Sequence, residues 1–137
     1  MKISQKLEYA CRALAQLARQ HDAKTLTRLE QLAKREAVSA NFLVQILNDL
    51  RRAGLIESRR GKSGGYLLAS PPREISLRQV VEAVDPSLLQ PSVSANGESG
   101  AGVRQAWNRV SEALATTLED TTIAGISQQS GGPMFYI

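Results

Sequence analysis

The sequence predicts a mainly α fold: a winged helix-turn-helix domain with a β-hairpin wing, followed by a long dimerisation helix. Three observations predict it. Four helical patterns, separated by short punctuation, fill the first 84 residues. Two strand-like runs flank the Gly-rich basic stretch Arg59-Arg60-Gly61-Lys62-Ser63-Gly64-Gly65. A further long apolar stripe lies between Val103 and Leu118, more than one small domain readily covers by itself.

The first helical pattern occupies residues 4–20. Leu7, Ala10, Cys11, Leu14, Leu17 and Ala18 recur at three- and four-residue spacing and make one buried stripe. The second starts at Thr27, where Thr27-Arg28-Leu29-Glu30 has the Thr-x-x-Glu form of a capping box, and ends near Arg35. Ser39 caps a third helix that runs to Ala53, and Gly54 supplies the left-handed residue at its end. Helix, short turn, helix is the plan of a helix-turn-helix. The strands are expected at residues 55–58 and 66–69, with glycines at the tip between them, which makes the hairpin a wing. A fourth short helix is capped by Ser76 with Gln79 three residues on, and stops at Asp85-Pro86. Residues 85–102, rich in Pro, Ser and Gly, read as a loop. The last long helix spans residues 103–119, with Ala106, Trp107, Val110, Ala113, Leu114 and Leu118 on one face. Thr121 or Thr122 caps a final turn around residues 123–126. The chain thus divides into a winged helix-turn-helix domain (1–84), a loop (85–102), a dimerisation helix region (103–127) and a C-terminal tail (128–137).

Charge is distributed unevenly. Residues 1–84 hold 15 Lys and Arg against 8 Asp and Glu, whereas residues 85–137 hold 2 against 5. A basic block joined to an acidic one points to a polyanionic partner for the first part. No apolar run reaches the roughly 18–20 residues of a membrane span, and no signal-peptide pattern opens the chain. A single cysteine excludes an intrachain disulfide, and a reducing cytoplasm is the expected compartment. No Cys–His, Ser–His–Asp or paired-carboxylate arrangement suggests an enzyme.

In a helix-turn-helix the start of the second helix enters the major groove. Here Phe42, Leu43, Ile46, Leu47 and Leu50 are spaced to face the core, which leaves Ser39, Asn41 and Gln45 outward, with Ala40 and Val44 beside them. The Asn41 and Gln45 amides both donate and accept, as the edge of adenine requires; a solvated surface is the plainer reading for both. Ser39 serves either as a cap or as a contact. Arg59, Arg60 and Lys62 place positive charge on a narrow projection suited to phosphates or a minor groove, and Arg51, with Arg52, adds backbone contacts late in the helix.

Several stretches resemble the Rrf2 (BadM) family of bacterial regulators. They are Ser4-x-x-x-x-Tyr9-Ala10, Val38-Ser39-x-Asn41-Phe42-Leu43, Leu50-Arg51-x-Ala53-Gly54-Leu55-Ile56 and Arg60-Gly61-x-x-Gly64-Gly65-Tyr66-Leu67-Leu68-Ala69. Ile75-Ser76-Leu77 and the Leu-x-x-Thr-Thr-Ile of residues 118–123 extend the match over nearly the whole chain. The resemblance implies a homodimer, held by the long helix, whose two winged helices read an inverted repeat on double-stranded DNA. Many members of the family place Glu where this chain has Val44, so its operator is expected to differ from theirs.

IscR- and NsrR-type members hold an iron–sulfur cluster on three cysteines in the loop before the long helix, since such clusters need thiolates. Here that loop has neither Cys nor His, and the one cysteine, Cys11, falls on the core stripe of the first helix. No cofactor is therefore expected, His21 reads as a surface residue, and packing is favoured over redox chemistry for Cys11. The ending Met134-Phe135-Tyr136-Ile137 resembles that of the cluster-free CymR-like branch, repressors of cysteine metabolism that form a complex with cysteine synthase, O-acetylserine (thiol)-lyase. A terminal isoleucine carboxylate on the Gly131-Gly132 tether suits insertion into an amino-acid site. The alternative is that Phe135 and Tyr136 pack back on the dimer. Two further readings stand beside a cysteine regulator: a member of the family answering another signal, and a protein–protein adaptor that no longer reads DNA.

Overall fold

A computed structural model describes residues 1–20 and 25–129; His21 and the tail residues Met134, Phe135, Tyr136 and Ile137 lie outside them. The first helix, α1 (Gln5–Arg19), starts where Ser4 Oγ accepts the Leu7 N–H at 3.1 Å. It buries Leu7, Ala10, Ala13, Leu14, Ala15 and Leu17, while Cys11 and Ala18 sit half-buried at the edge of the stripe. The stripe is wider than expected, since it also takes in Ala13 and Ala15.

Helix α2 (Leu29–Arg35) differs from expectation at its start. Thr27 does not cap it. The Thr27 backbone pairs with Tyr66 in both directions (N–H to O 2.9 Å, and 2.8 Å in return), and its hydroxyl donates to Gln20 Oε1 at 3.0 Å. Buried in this way, Thr27 is committed to the sheet, and Arg28 takes the capping position, its N–H donating to Gln31 Oε1 at 3.3 Å. The turn that follows passes through Ala37 at φ 55°, a left-handed conformation costing an L-residue about 1–2 kcal/mol.

Helix α3 (Ala40–Arg52) begins at Ser39, whose Oγ accepts the Phe42 N–H at 3.2 Å. Leu43, Ile46, Leu47 and Leu50 are buried; Phe42 is half-buried, edge-on to Tyr9 with ring centres 5.9 Å apart. The helix ends in a Schellman arrangement. Gly54 adopts φ 80°, its N–H reaches Arg51 O, and the Leu55 N–H reaches Leu50 O, both at 3.0 Å. Lys6 of α1 and Arg52 both pair with Asp49, tying α1 to α3. The hydrogen bond from Lys6, foremost, holds the Asp49 carboxyl below its ordinary range.

The wing is an antiparallel pair, β1 (Ile56–Arg59) and β2 (Gly65–Leu68), in register from Ile56↔Leu68 to Arg59↔Gly65. Both strands lie one residue nearer the tip than the sequence suggests, which takes Arg59 out of the turn and into the ladder. After a 3₁₀ turn at Pro72–Glu74, α4 (Leu77–Val84) opens with the expected capping box: Ser76 Oγ accepts from Gln79 N–H (3.3 Å) and Gln79 Oε1 from Ser76 N–H (2.9 Å). A second 3₁₀ turn, Pro86–Leu89, occupies part of the expected loop.

The long helix, α5 (Gly100–Asp120), starts three residues before Val103. Helix α6 (Ile123–Gln129) follows at once, and of the two candidate caps it is Thr122 that acts, its Oγ1 accepting the Gly125 N–H at 3.2 Å. The chain has turned back by then. Ile123 N–H bonds Ile75 O at 2.9 Å, and Leu77 N–H bonds Thr121 O at 2.8 Å. Ile123 is fully buried in the same cluster as Leu7, Leu14, Leu47 and Val80. From sequence this segment goes with the long helix; in space its first residue completes the N-terminal core. The long helix itself buries none of its residues.

Candidate nucleic-acid interface

Burying one face of α3 in the core fixes what the other face presents. Leu43, Ile46, Leu47 and Leu50 point inward, so Ser39, Asn41 and Gln45 are exposed, while Ala40 and Val44 are half-buried between the faces. Asn41 and Gln45 are four residues apart, hence on one side of the helix about one turn from each other. Ser39 is exposed too, but its hydroxyl oxygen already accepts the Phe42 N–H. It is a cap, with its O–H free to donate outward.

Arg51, near the end of α3, is exposed and lines a groove of about 480 Å³ between that helix and the wing. Arg59 and Arg60 line the same groove, as do Arg28 at the head of α2 and Asn48 on α3. Four guanidinium-bearing residues therefore border one depression with a single carboxylate, Glu30, among its lining residues. Such a focus of positive charge suits the phosphates of a duplex backbone. Arg59 is partly engaged within the wing, its Nη2 lying 3.2 Å from Glu57 Oε1 across one face of β1. Arg60 and Lys62 stand exposed on the turn beyond it.

Glycine shapes this projection. Gly65 adopts φ 152°, and a Cβ placed there would lie 2.7 Å from Thr27 O; one on Gly64 would lie 2.3 Å from Arg59 O. Gly65 thus lets Thr27 lie against β2 as a one-residue third strand, while Gly64 lets the turn of the wing close on Arg59. Neither Arg28 nor Asn48 stands out in the sequence as a site residue. Arg28 is hidden inside an apparent capping box, and Asn48 has no distinguishing spacing; only the fold brings them to the wing.

The Rrf2 family profile, described as iron-dependent transcriptional regulator, matches residues 3–129. The chain belongs to the Rrf2 family. It is a helix-turn-helix, DNA-binding transcriptional regulator of CymR-like type. CymR of Bacillus subtilis is 31% identical over 141 residues, spanning 100% of both chains. IscR of Cereibacter sphaeroides is 38% identical over 119 residues, 84% of this chain and 77% of that protein. The solved structure of B. subtilis CymR, named as that organism's global cysteine regulator, superposes with a TM-score of 0.83 at 29% identity, covering 96% of this chain and 99% of that one. Oxidised CymR of Staphylococcus aureus gives 0.78, also at 29% identity, over 96% of this chain and all of the other.

The donor set of this Rrf2 chain does not fit iron. Its one cysteine, Cys11, lies on α1, and the segment between the 3₁₀ turn and α5 has no thiolate or imidazole. Among the described residues no group of three His, Cys, Asp or Glu is placed to hold a metal ion. Nor is any described helix long and apolar enough to cross a membrane.

Proposed function

We propose that this Rrf2-family regulator is a homodimeric repressor of cysteine and sulfur genes, working without an iron–sulfur cluster and answering to cysteine synthase through its C-terminal residues. The observation that carries the DNA-reading part is the exposure of Asn41 and Gln45 on one side of α3, beside an arginine-lined groove that ends in the wing. Asn41 and Gln45 read base edges, Ser39 and Arg51 hold the backbone, and Arg59, Arg60 and Lys62 follow the phosphates or the minor groove. Duplexes selected from random sequence give the operator. On that site Gln45→Ala costs about 1–3 kcal/mol and less on random DNA. Equal losses on both would make Gln45 a backbone contact.

The tail supports the metabolic part. In the sequence, Met134, Phe135, Tyr136 and Ile137 are four apolar residues that follow Ser130-Gly131-Gly132-Pro133. An apolar ending is a poor surface unless a partner covers it. Insertion of Ile137 with its carboxylate into the amino-acid site of cysteine synthase would bury it, and a relative named as a global cysteine regulator agrees with that assignment. A peptide with this ending is expected to bind the synthase in competition with O-acetylserine, and to lose binding when Ile137 is removed. Affinity indifferent to both changes refutes the docking.

A further inference from the structure

The wing is a two-stranded hairpin, a unit that is only marginally stable alone. Its base is secured by burial of Ile56 and Leu68 and by the Ala69 N–H to Leu55 O bond at 3.0 Å. Its middle is secured by the Thr27–Tyr66 bridge. The tip, where Arg60 and Lys62 project, is reached by one more connection: Arg28 Nη1 donates to the backbone carbonyl of Lys62. Arg28 is the next residue after the bridging Thr27, and its own backbone caps α2. Its guanidinium therefore runs from the first helix of the helix-turn-helix to the turn of the wing, along the groove that Arg51, Arg59 and Arg60 also line.

We infer that Arg28 is a positioning residue, a strut that holds the wing tip at a fixed distance from the recognition helix so that Arg60 and Lys62 meet DNA while Asn41 and Gln45 read the adjacent bases. The inference rests on the reading that the wing touches DNA. Three features support a strut over a fourth phosphate contact. The bond goes to a main-chain carbonyl, whose position sets the path of the whole turn. Arg28 Nε also lies 3.9 Å from Glu30 Oε2, so part of its charge is met inside the protein. The residue before it is locked to β2 by paired backbone hydrogen bonds of 2.9 and 2.8 Å, which gives the strut a rigid foot. A planar guanidinium is suited to such a span, since its pre-organised fork loses less side-chain freedom per hydrogen bond than an ammonium does.

A double-mutant cycle on Arg28→Ala and Arg60→Ala separates strut from contact. Affinity is measured by fluorescence anisotropy on the duplex recovered by selection and on a random duplex. For a strut, Arg28→Ala weakens binding to the selected duplex by about tenfold, as loss of one charge-assisted hydrogen bond allows. In the Arg60→Ala background the further loss is smaller, so the two effects are less than additive, and what remains reflects the contact of Lys62. Amide exchange across residues 59–65 then accelerates in free Arg28→Ala, with an unchanged melting temperature showing that the core is intact. Additive losses, with amide exchange across residues 59–65 unchanged in Arg28→Ala, identify a direct phosphate contact and overturn the strut. So does binding by Arg28→Ala that equals wild type while Arg60→Ala is impaired. If a variant carrying both Arg60→Ala and Lys62→Ala binds like wild type, the wing tip does not touch DNA, and the underlying reading fails with the inference.

Discussion

Cys11 shows how one residue's surroundings decide its chemistry. It is half-buried on α1 and borders an apolar groove of about 650 Å³ that Leu7, Val81, Leu118 and Ile126 also line. Burial penalises the thiolate and pushes the Cys11 thiol up to about 11. At neutral pH it is therefore a thiol, neither a nucleophile nor a ready ligand. Alkylation at pH 8 should run roughly a hundredfold slower than for a free cysteine, and its pH profile should have a midpoint near 11. A midpoint near the free-thiol value of about 8.5 would disprove the burial argument. Because the folded state holds the proton more tightly, this group contributes stability at pH values below its unfolded pKa. That contribution fades as pH rises from 9.0 towards 11. Residue-level legibility was uneven for physical reasons. The periodicity of Leu43, Ile46, Leu47 and Leu50 fixed which side of α3 faces out, so Asn41 and Gln45 could be named. Thr27 reads as a helix cap and is not one, and Arg28 has no distinguishing signal, because the partners that define them lie at Tyr66 and Lys62, far along the chain.

At the scale of elements, the wing depends on a close backbone approach rather than on side chains. Paired hydrogen bonds between Thr27 and Tyr66 bring the chain past Gly65 at φ 152°, with Thr27 O 2.7 Å from where a Cβ would sit. Gly65→Ala must move either the strand or the bridge, and both shifts release Arg28 from the wing. The expected result is a loss of about 1–3 kcal/mol in stability, from backbone strain together with the disturbed bridge. Wing amides should exchange faster while those of α1 and α3 stay protected. Retention of wild-type wing protection would mean that the backbone relaxes at little cost. The Gly-rich tip is legible as a turn in the sequence, since glycines between two apolar runs admit few other readings. Its third strand is not, because a single residue has no period. The start of α5 is obscured for a related reason. Gly100 and Gly102 lower helix propensity, and a Cβ on Gly100 would lie 2.5 Å from the Ala95 backbone, so a tight approach, not local preference, places the first turn.

At the scale of the whole molecule, the described residues leave one apolar side uncovered. Val103, Trp107 and Val110 are 47%, 52% and 55% exposed on a 21-residue helix that buries none of its side chains. Their spacing aligns them on one face with Leu114 and Leu118, and a continuous apolar face of this kind calls for a partner. A second copy covering it would be related by a two-fold axis, which also sets two recognition helices about 34 Å apart, or a multiple of that, to match an inverted repeat. Trp107 is the only tryptophan, so its fluorescence reports on this face alone. In the dimer its emission is blue-shifted, and dilution below the dissociation constant moves it to the red as the mass halves. Trp107→Asp should give a monomer whose helical circular dichroism is nearly unchanged, because residue 107 lies outside the core that holds α1, α3, α4 and Ile123 together. That monomer should lose affinity for the full inverted repeat far more than for a single half-site. Wild-type emission that stays red at concentrations where the protein is dimeric would place the interface elsewhere. So would a Trp107→Asp variant that still protects the full repeat like wild type.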